Sequence, residues 1–187
     1  MPRITKIEQA IRDTGAIQYG EFTAHNGEQG NCKVVLDELL NNELHASLRG
    51  EVVKSLARKL KPFEPEILIP MPEGANILGM LLARELGARA VLLEWQDKTD
   101  GQLKFKDQHE RIVICSAERI ALIDDVRRTD STFSQAIKSI ELGGKNLVSG
   151  VIFDRSDPRV QPSSEFKVVS VVKRYIPLRV KLDAGAT

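Results

Sequence analysis

Apolar positions along the chain follow two rhythms, one of three to four residues and one of two, and the order in which they alternate outlines a fold. Ile4, Ile7 and Ile11 recur at helical spacing before Gly15, which predicts a short amphipathic helix at the start. The following "GAIQYGEFTAHNG" holds neither rhythm for long and reads as irregular. Leu44, Leu48, Val52, Leu56 and Leu60 then step by four, and Pro62 closes a helix of about 18 residues. "EILIP" is a short strand, "NILGMLLAREL" a helix stopped by Gly87, and "ARAVLLE" a second strand, which makes one βαβ unit. A polar stretch over 95–111 interrupts the alternation. It resumes with "IVICSAERIALIDD", a helix over about 133–142, a Gly143-Gly144 stop and the strand "LVSGVIFDR". The order predicts an α/β fold with a doubly wound, mainly parallel sheet covered on both faces. Residues 1–40 form an N-terminal helical or irregular hood on a core of 41–187, together one domain. Ligands of such sheets bind outside the carboxyl ends of the strands. Three loops lie there: "PMPEGA" at 70–75, the polar stretch 95–111, and "DDVRRTDST" at 124–132.

Composition narrows the chemistry. With 27 Lys and Arg against 26 Asp and Glu, the chain has no overall basic field to draw it to nucleic acid or an anionic membrane, so any anion site is local. Cys32 and Cys115 lie far apart without CxxC spacing, and three histidines do not complete a zinc set. This argues against a structural metal or a disulfide framework and fits a reducing cytoplasm. No apolar run approaches the roughly 20 residues of a membrane span, and the first residues lack an export signal. The expected protein is cytoplasmic.

The third loop carries the most chemistry. A turn of small and hydroxyl residues between a strand and a helix exposes backbone N–H groups at the positive end of the helix dipole, where a phosphate is stabilised. Thr129, Ser131 and Thr132 add hydroxyl donors. Asp124 and Asp125, at the end of the preceding strand, can accept from sugar hydroxyls or hold hydrated Mg²⁺. Phosphate and sugar together suggest a ribose phosphate. The same residue types also end strands and cap helices with no ligand, so this stretch by itself leaves both readings open. Trp95 reads as packing, His45 as a solvated helix residue, and Cys115, inside "IVICSA", as buried core.

"ALIDDVRRTDSTF" resembles the phosphoribosyl-pyrophosphate (PRPP) motif of type I phosphoribosyltransferases, with Asp124, Asp125, Val126, Thr129 and Thr132 matching. "GAIQYGEFTAHNG" is similar to the N-terminal segment of the orotate enzymes in particular. "LIPMPEGANILGMLLARELG" occupies the place of their pyrophosphate loop and its helix, and "VIFDR" puts Arg155 where an arginine contacts the orotate ring. The resemblance implies transfer of ribose 5-phosphate from PRPP to a nucleobase, with Mg²⁺ as cofactor, in a homodimer. It assigns Asp124, Asp125 and Lys98 to catalysis, the two carboxylates also holding the metal through water. Val126, Arg127, Arg128, Thr129, Asp130, Ser131 and Thr132 form the 5′-phosphate turn. Met71, Pro72, Glu73 and Gly74 form the pyrophosphate loop, and His25 and Arg155 face the base. The stretch 95–111 becomes a lid without fixed structure when empty, carrying Lys98, with Lys104, Lys106, His109 and Arg111 as further cations.

Several positions depart from that pattern. Asp130 and Ser131 replace turn glycines, Glu73 stands where a lysine or glycine is usual, and Asp100 replaces a histidine of the lid. The hood lacks the aromatic pair around Cys32 and Lys33. Arg127 or Arg128 is expected to compensate Asp130. These departures keep two alternatives beside orotate transfer: a non-catalytic PRPP- or nucleotide-binding relative, and a phosphoribosyltransferase for another base.

Overall fold

The computed structural model describes residues 4–23, 29–97, 101–160 and 163–175. Helix α1 (Lys6–Asp13) starts at Thr5, whose hydroxyl accepts from the Glu8 N–H at 3.1 Å, and Ile11 is its buried anchor. The segment expected to be irregular is instead an antiparallel hairpin, β1 (Ile17–Thr23) on β2 (Gln29–Val34). Gly20 and a register shift between Tyr19 and Phe22 break the alternation that would have announced it.

After α2 (Asp37–Asn41) and a 3₁₀ turn over Glu43–His45 comes α3 (Ala46–Leu60), shorter than its stripe suggested. Leu44 falls in the 3₁₀ turn and is 88% exposed, whereas Val52, Leu56 and Leu60 are buried. The βαβ unit is present as β3 (Ile67–Pro70), α4 (Asn76–Leu86) and a two-residue β4 (Arg89–Ala90). Gly87 ends α4 in the left-handed conformation with φ +66°.

The "LLE" of the second predicted strand leaves this sheet. It opens β5 (Leu93–Asp97), which pairs antiparallel with β6 (Gln102–Phe105). The described residues of the stretch 95–111 are therefore not structureless. Leu103 and Phe105 are buried, and the Leu103 N–H donates to Ser139 Oγ at 3.3 Å. "IVICS" is not a strand either but the body of α5 (Glu110–Ser116), of which Ile114 alone is buried. Cys115, expected in the core, is exposed.

The second half runs through β7 (Arg119–Arg127), α6 (Ser131–Ser139), β8 (Asn146–Asp154) and β9 (Lys167–Lys173), the last unannounced by the sequence rhythm. The five-stranded sheet has the order β4-β3-β7-β8-β9 with every pair parallel. Helices α3 and α4 cover one face. They sit close enough that a Cβ on Gly150 of β8 would meet Leu60 of α3 at 3.1 Å, and one on Gly79 of α4 would meet Pro70 of β3 at 2.6 Å. Helix α6 carries Phe133, which packs edge-on against Phe166 at 5.5 Å. From β3 the chain winds outward to β4, and from β7 it winds the other way to β8. The switch point thus lies between the carboxyl ends of β3 and β7.

Candidate active site at the switch point

The crevice begins where β3 and β7 part. Ile123 is the last residue of β7 paired with β3, opposite Pro70, and its carbonyl accepts from the Met71 N–H at 2.7 Å. Asp124 and Asp125 are the next two residues, both half-buried. The Asp125 N–H donates to Asp124 Oδ1 at 2.9 Å and the Val126 N–H to Asp125 Oδ1 at 2.7 Å, which fixes both carboxylates against the backbone. Burial, together with the charge of Asp125, pushes the Asp124 carboxyl well above its ordinary value, and burial raises Asp125 as well. An adjacent, desolvated acid pair of this kind is completed by a cation or by hydrogen-bond donors from a ligand.

The loop after β3 closes over that pair. A Cβ on Gly74 would sit 3.4 Å from Asp125 Oδ1, so the loop backbone lies directly against the carboxylate. Glu73 holds a left-handed φ of +73°, uncommon for a residue with a side chain. Met71 is buried beneath, Pro72 is half-buried, and Asn76 opens α4 with its Oδ1 buried and without a partner. Pro72, Glu73, Asn76, Trp95 and Lys106 line a cavity of about 140 Å³, which joins the loop to the β5–β6 hairpin.

The turn after β7 departs from expectation at Arg127. Its side chain is buried and turned into the protein, not toward the turn surface. It donates from Nε to Asp130 Oδ1 at 2.8 Å, and from Nη1 to Asp154 Oδ1 at 2.9 Å and to Ser156 Oγ at 2.7 Å. Arg127, and not Arg128, is the residue that pairs with Asp130. The other oxygen of Asp130 accepts from the Ser163 N–H at 2.8 Å. Burial alone would raise the Asp130 carboxyl, but these bonds outweigh it and hold it below the ordinary range. With Asp130 turned inward, the exposed rim of the turn is made of hydroxyls: Thr129 Oγ1 and Ser131 Oγ lie 2.9 Å apart, with Thr132 half-buried behind them. The α6 N-terminus faces that rim.

Arg155 is 9% exposed, and its Nη1 donates to the Cys32 carbonyl at 3.0 Å, tying β2 to the end of β8; its Nε is buried without a partner. His25, Lys98 and Asp100 lie outside the described residues. Lys104 pairs with Glu94 at 3.2 Å and Arg111 with Glu141 at 2.9 Å, which commits two of the further cations to surface pairs. The structural partners Asp154, Ser156 and Ser163 were not anticipated. A signal for Asp154 was present, since an acid ending a long apolar strand needs a buried counterion.

A parallel sheet whose switch point presents an acid pair, a close-packed loop and a hydroxyl turn at a helix start defines a type I phosphoribosyltransferase. No protein-family model matches the chain. It is 31% identical over 172 residues to the orotate phosphoribosyltransferase of Caldanaerobacter subterraneus subsp. tengcongensis, covering 91% of this chain and 85% of that one. To the Thermotoga maritima orotate phosphoribosyltransferase it is 27% identical over 173 residues, 92% of this chain and 87% of the other. The crystal structure of the orotate phosphoribosyltransferase from Aeropyrum pernix shares the fold, with a TM-score of 0.65 at 16% identity over 88% of this chain and 92% of that one. The chain belongs to the orotate phosphoribosyltransferase family.

Proposed function

We propose that the protein transfers ribose 5-phosphate from PRPP to orotate, giving orotidine 5′-monophosphate and pyrophosphate. The observation that carries this reading is the Asp124–Asp125 pair, half-buried at the switch point with the Gly74 backbone closed against it and the α6 N-terminus one turn away. In the reaction a ring nitrogen of the base bonds to C1 of the ribose as the C1–O bond to pyrophosphate breaks, and the leaving group departs with the electron pair. No protein nucleophile is needed, so the residues act by positioning and by electrostatics.

Asp124 and Asp125 accept hydrogen bonds from the ribose hydroxyls. Backbone N–H groups at the start of α6 and the hydroxyls of Thr129, Ser131 and Thr132 hold the 5′-phosphate. Residues 71–74 wall the pyrophosphate side, where Lys98 adds charge, and Arg155 orients the base together with His25. The acid pair suits Mg²⁺, because two adjacent carboxylates offer the hard oxygens that hold such an ion through its water shell. When bound, Mg²⁺ neutralises charge that develops on pyrophosphate. A homodimer and a cytosolic location belong to the same reading, and sedimentation tests the first.

A second acceptor is favoured by one feature. Arg155 is held by the Cys32 carbonyl in a hood that lacks the family's aromatic pair, so a base other than orotate is the alternative outcome. The deciding experiment is PRPP consumption with Mg²⁺ across a panel of bases. Orotate should support turnover that Asp124→Asn with Asp125→Asn reduces by about 100-fold or more. Silence with every base would refute the reading.

A further inference from the structure

The turn glycine of the family pattern is replaced here by an acid, and that acid is held by a built network. Asp130 stands at the mouth of α6, where an unpaired carboxylate would repel a phosphate. Instead, one oxygen lies 2.7 Å from Arg127 Nη2 and 2.8 Å from its Nε, and the other accepts from the Ser163 N–H. Arg127 is buried at 6% exposure and is itself fixed by Asp154, which is 2% exposed and accepts from the Ser156 N–H at 3.1 Å. Lys173 stands 4.0 Å from the second oxygen of Asp154. Two carboxylates and two cations therefore balance under the turn, leaving the hydroxyl rim to meet the ligand.

We infer that Arg127 is a positioning residue for phosphate binding: by drawing the Asp130 carboxylate down onto the end of β8, it keeps an acidic turn competent to hold the 5′-phosphate. The inference rests on the phosphoribosyl-transfer reading and adds a specific device to it. Arg127 does not touch the ligand; it removes a repulsion. Freed from Arg127, the carboxylate stands beside the phosphate, and even strongly screened repulsion at contact distance amounts to about tenfold in affinity.

The test is a cycle of Arg127→Gln, Asp130→Asn and the two together, read as KM for PRPP, KM for the base and kcat. Arg127→Gln is expected to raise KM for PRPP about tenfold, with kcat and KM for the base changed by less than about threefold. In the Asp130→Asn background the same substitution should raise KM for PRPP by less than about threefold, because the offending charge is gone. Both Arg127→Gln chains lose the Asp154 partner and should unfold at a lower temperature than their Arg127 counterparts, so a loss of stability in both with a rise in KM in only one separates the structural role from the positioning role. If Arg127→Gln does not fold, Arg127→Lys keeps the charge without the fork and should show the same effect at smaller size, again relieved by Asp130→Asn. An equal rise in KM in both backgrounds, or a loss confined to kcat, would overturn the inference while leaving the transferase reading intact. A parent chain that neither binds nor consumes PRPP would overturn that reading, and this inference with it.

Discussion

Gly79 offers a test of how tightly the pyrophosphate loop is tied to the fold. It sits in the first turn and a half of α4, and a Cβ there would lie 2.6 Å from Pro70 Cβ and 2.8 Å from Pro70 Cγ. Carbon atoms pack best at about 3.5–4.0 Å, so Gly79→Ala requires helix and strand end to separate by about 1 Å. Pro70 is a ring on a buried strand, not the tip of a flexible side chain, and cannot turn aside. Overpacking of this kind costs about 1–3 kcal/mol, against a gain of about 0.5–1 kcal/mol from removing a helical glycine. A net loss of about 1–2 kcal/mol is expected. Gly50, inside α3, is the control: nothing lies within 4 Å of its Cβ position, so the same substitution should stabilise by about 0.5–1 kcal/mol. The two variants should differ by about 6 °C in Tm for a chain of this size. Because Met71–Gly74 follows Pro70 directly, Gly79→Ala should also lower kcat/KM for PRPP by about tenfold or more, whereas Gly50→Ala should not. Equal Tm values for the two variants would refute the packing argument; a stability loss with unchanged kcat/KM would refute the link to the loop.

Glu8 is 3% exposed and binds Arg174 and Arg12, each at 3.0 Å through an Nη2, docking α1 on the segment after β9. Burial pushes its carboxyl up, but the hydrogen bonds from the two arginines outweigh this and the net value is lowered. Its contribution is therefore present above the unfolded value and lost as pH falls through the folded one. Glu8→Ala should cost about 2 kcal/mol at pH 7, a gap that urea titrations should find narrowing below about pH 4. A thiol reagent should label Cys115 alone in the native protein and both cysteines in denaturant, with Cys115→Ser silent until unfolded, since Cys32 is buried. Arg155→Gln should raise KM for the base by about tenfold while KM for PRPP moves little, which steady-state kinetics in both substrates will resolve.

What the sequence revealed depended on whether a segment's pattern was set by its own neighbours or by distant ones. Helices α1, α3 and α4 and the strands β3, β7 and β8 carry long or uniformly apolar patterns, and their order was enough to locate Asp124, Asp125 and the loop at Gly74. The hairpins β1–β2 and β5–β6 were missed because each is short, kinked by a register shift and polar on one side. "IVICS" misled because a short apolar run fits a strand or a helix, and only the packed structure shows Ile112 at 73% exposure and Cys115 outside the core. Strand β9 was missed although its valines are strand-forming, because a connection over 155–166 with no helix among its described residues broke the expected alternation. The role of Arg127 was legible only as a countercharge for Asp130, with Arg128 as the alternative, and not as a buried link to the end of β8. Its partners Asp154 and Ser156 lie 27 and 29 positions further along the chain, and no local spacing encodes that meeting.

Counterions are distributed unevenly over the four acids near the switch point. Asp130 and Asp154 lie under the turn and share Arg127, so their charges are neutralised inside the protein. Asp124 and Asp125 lie at the same end of the same strand and, among the described residues, pair with no basic side chain, although burial raises the proton affinity of both and the Asp125 charge raises that of Asp124 further. Each accepts one main-chain N–H but has no countercharge there, unlike the neighbouring acids, and two adjacent desolvated carboxylates oppose folding. A pair without a countercharge of its own suits a ligand or metal ion that supplies one. The acidic replacement at Asp130, one of the departures that kept a non-catalytic reading open, is neutralised by Arg127 and the Ser163 N–H.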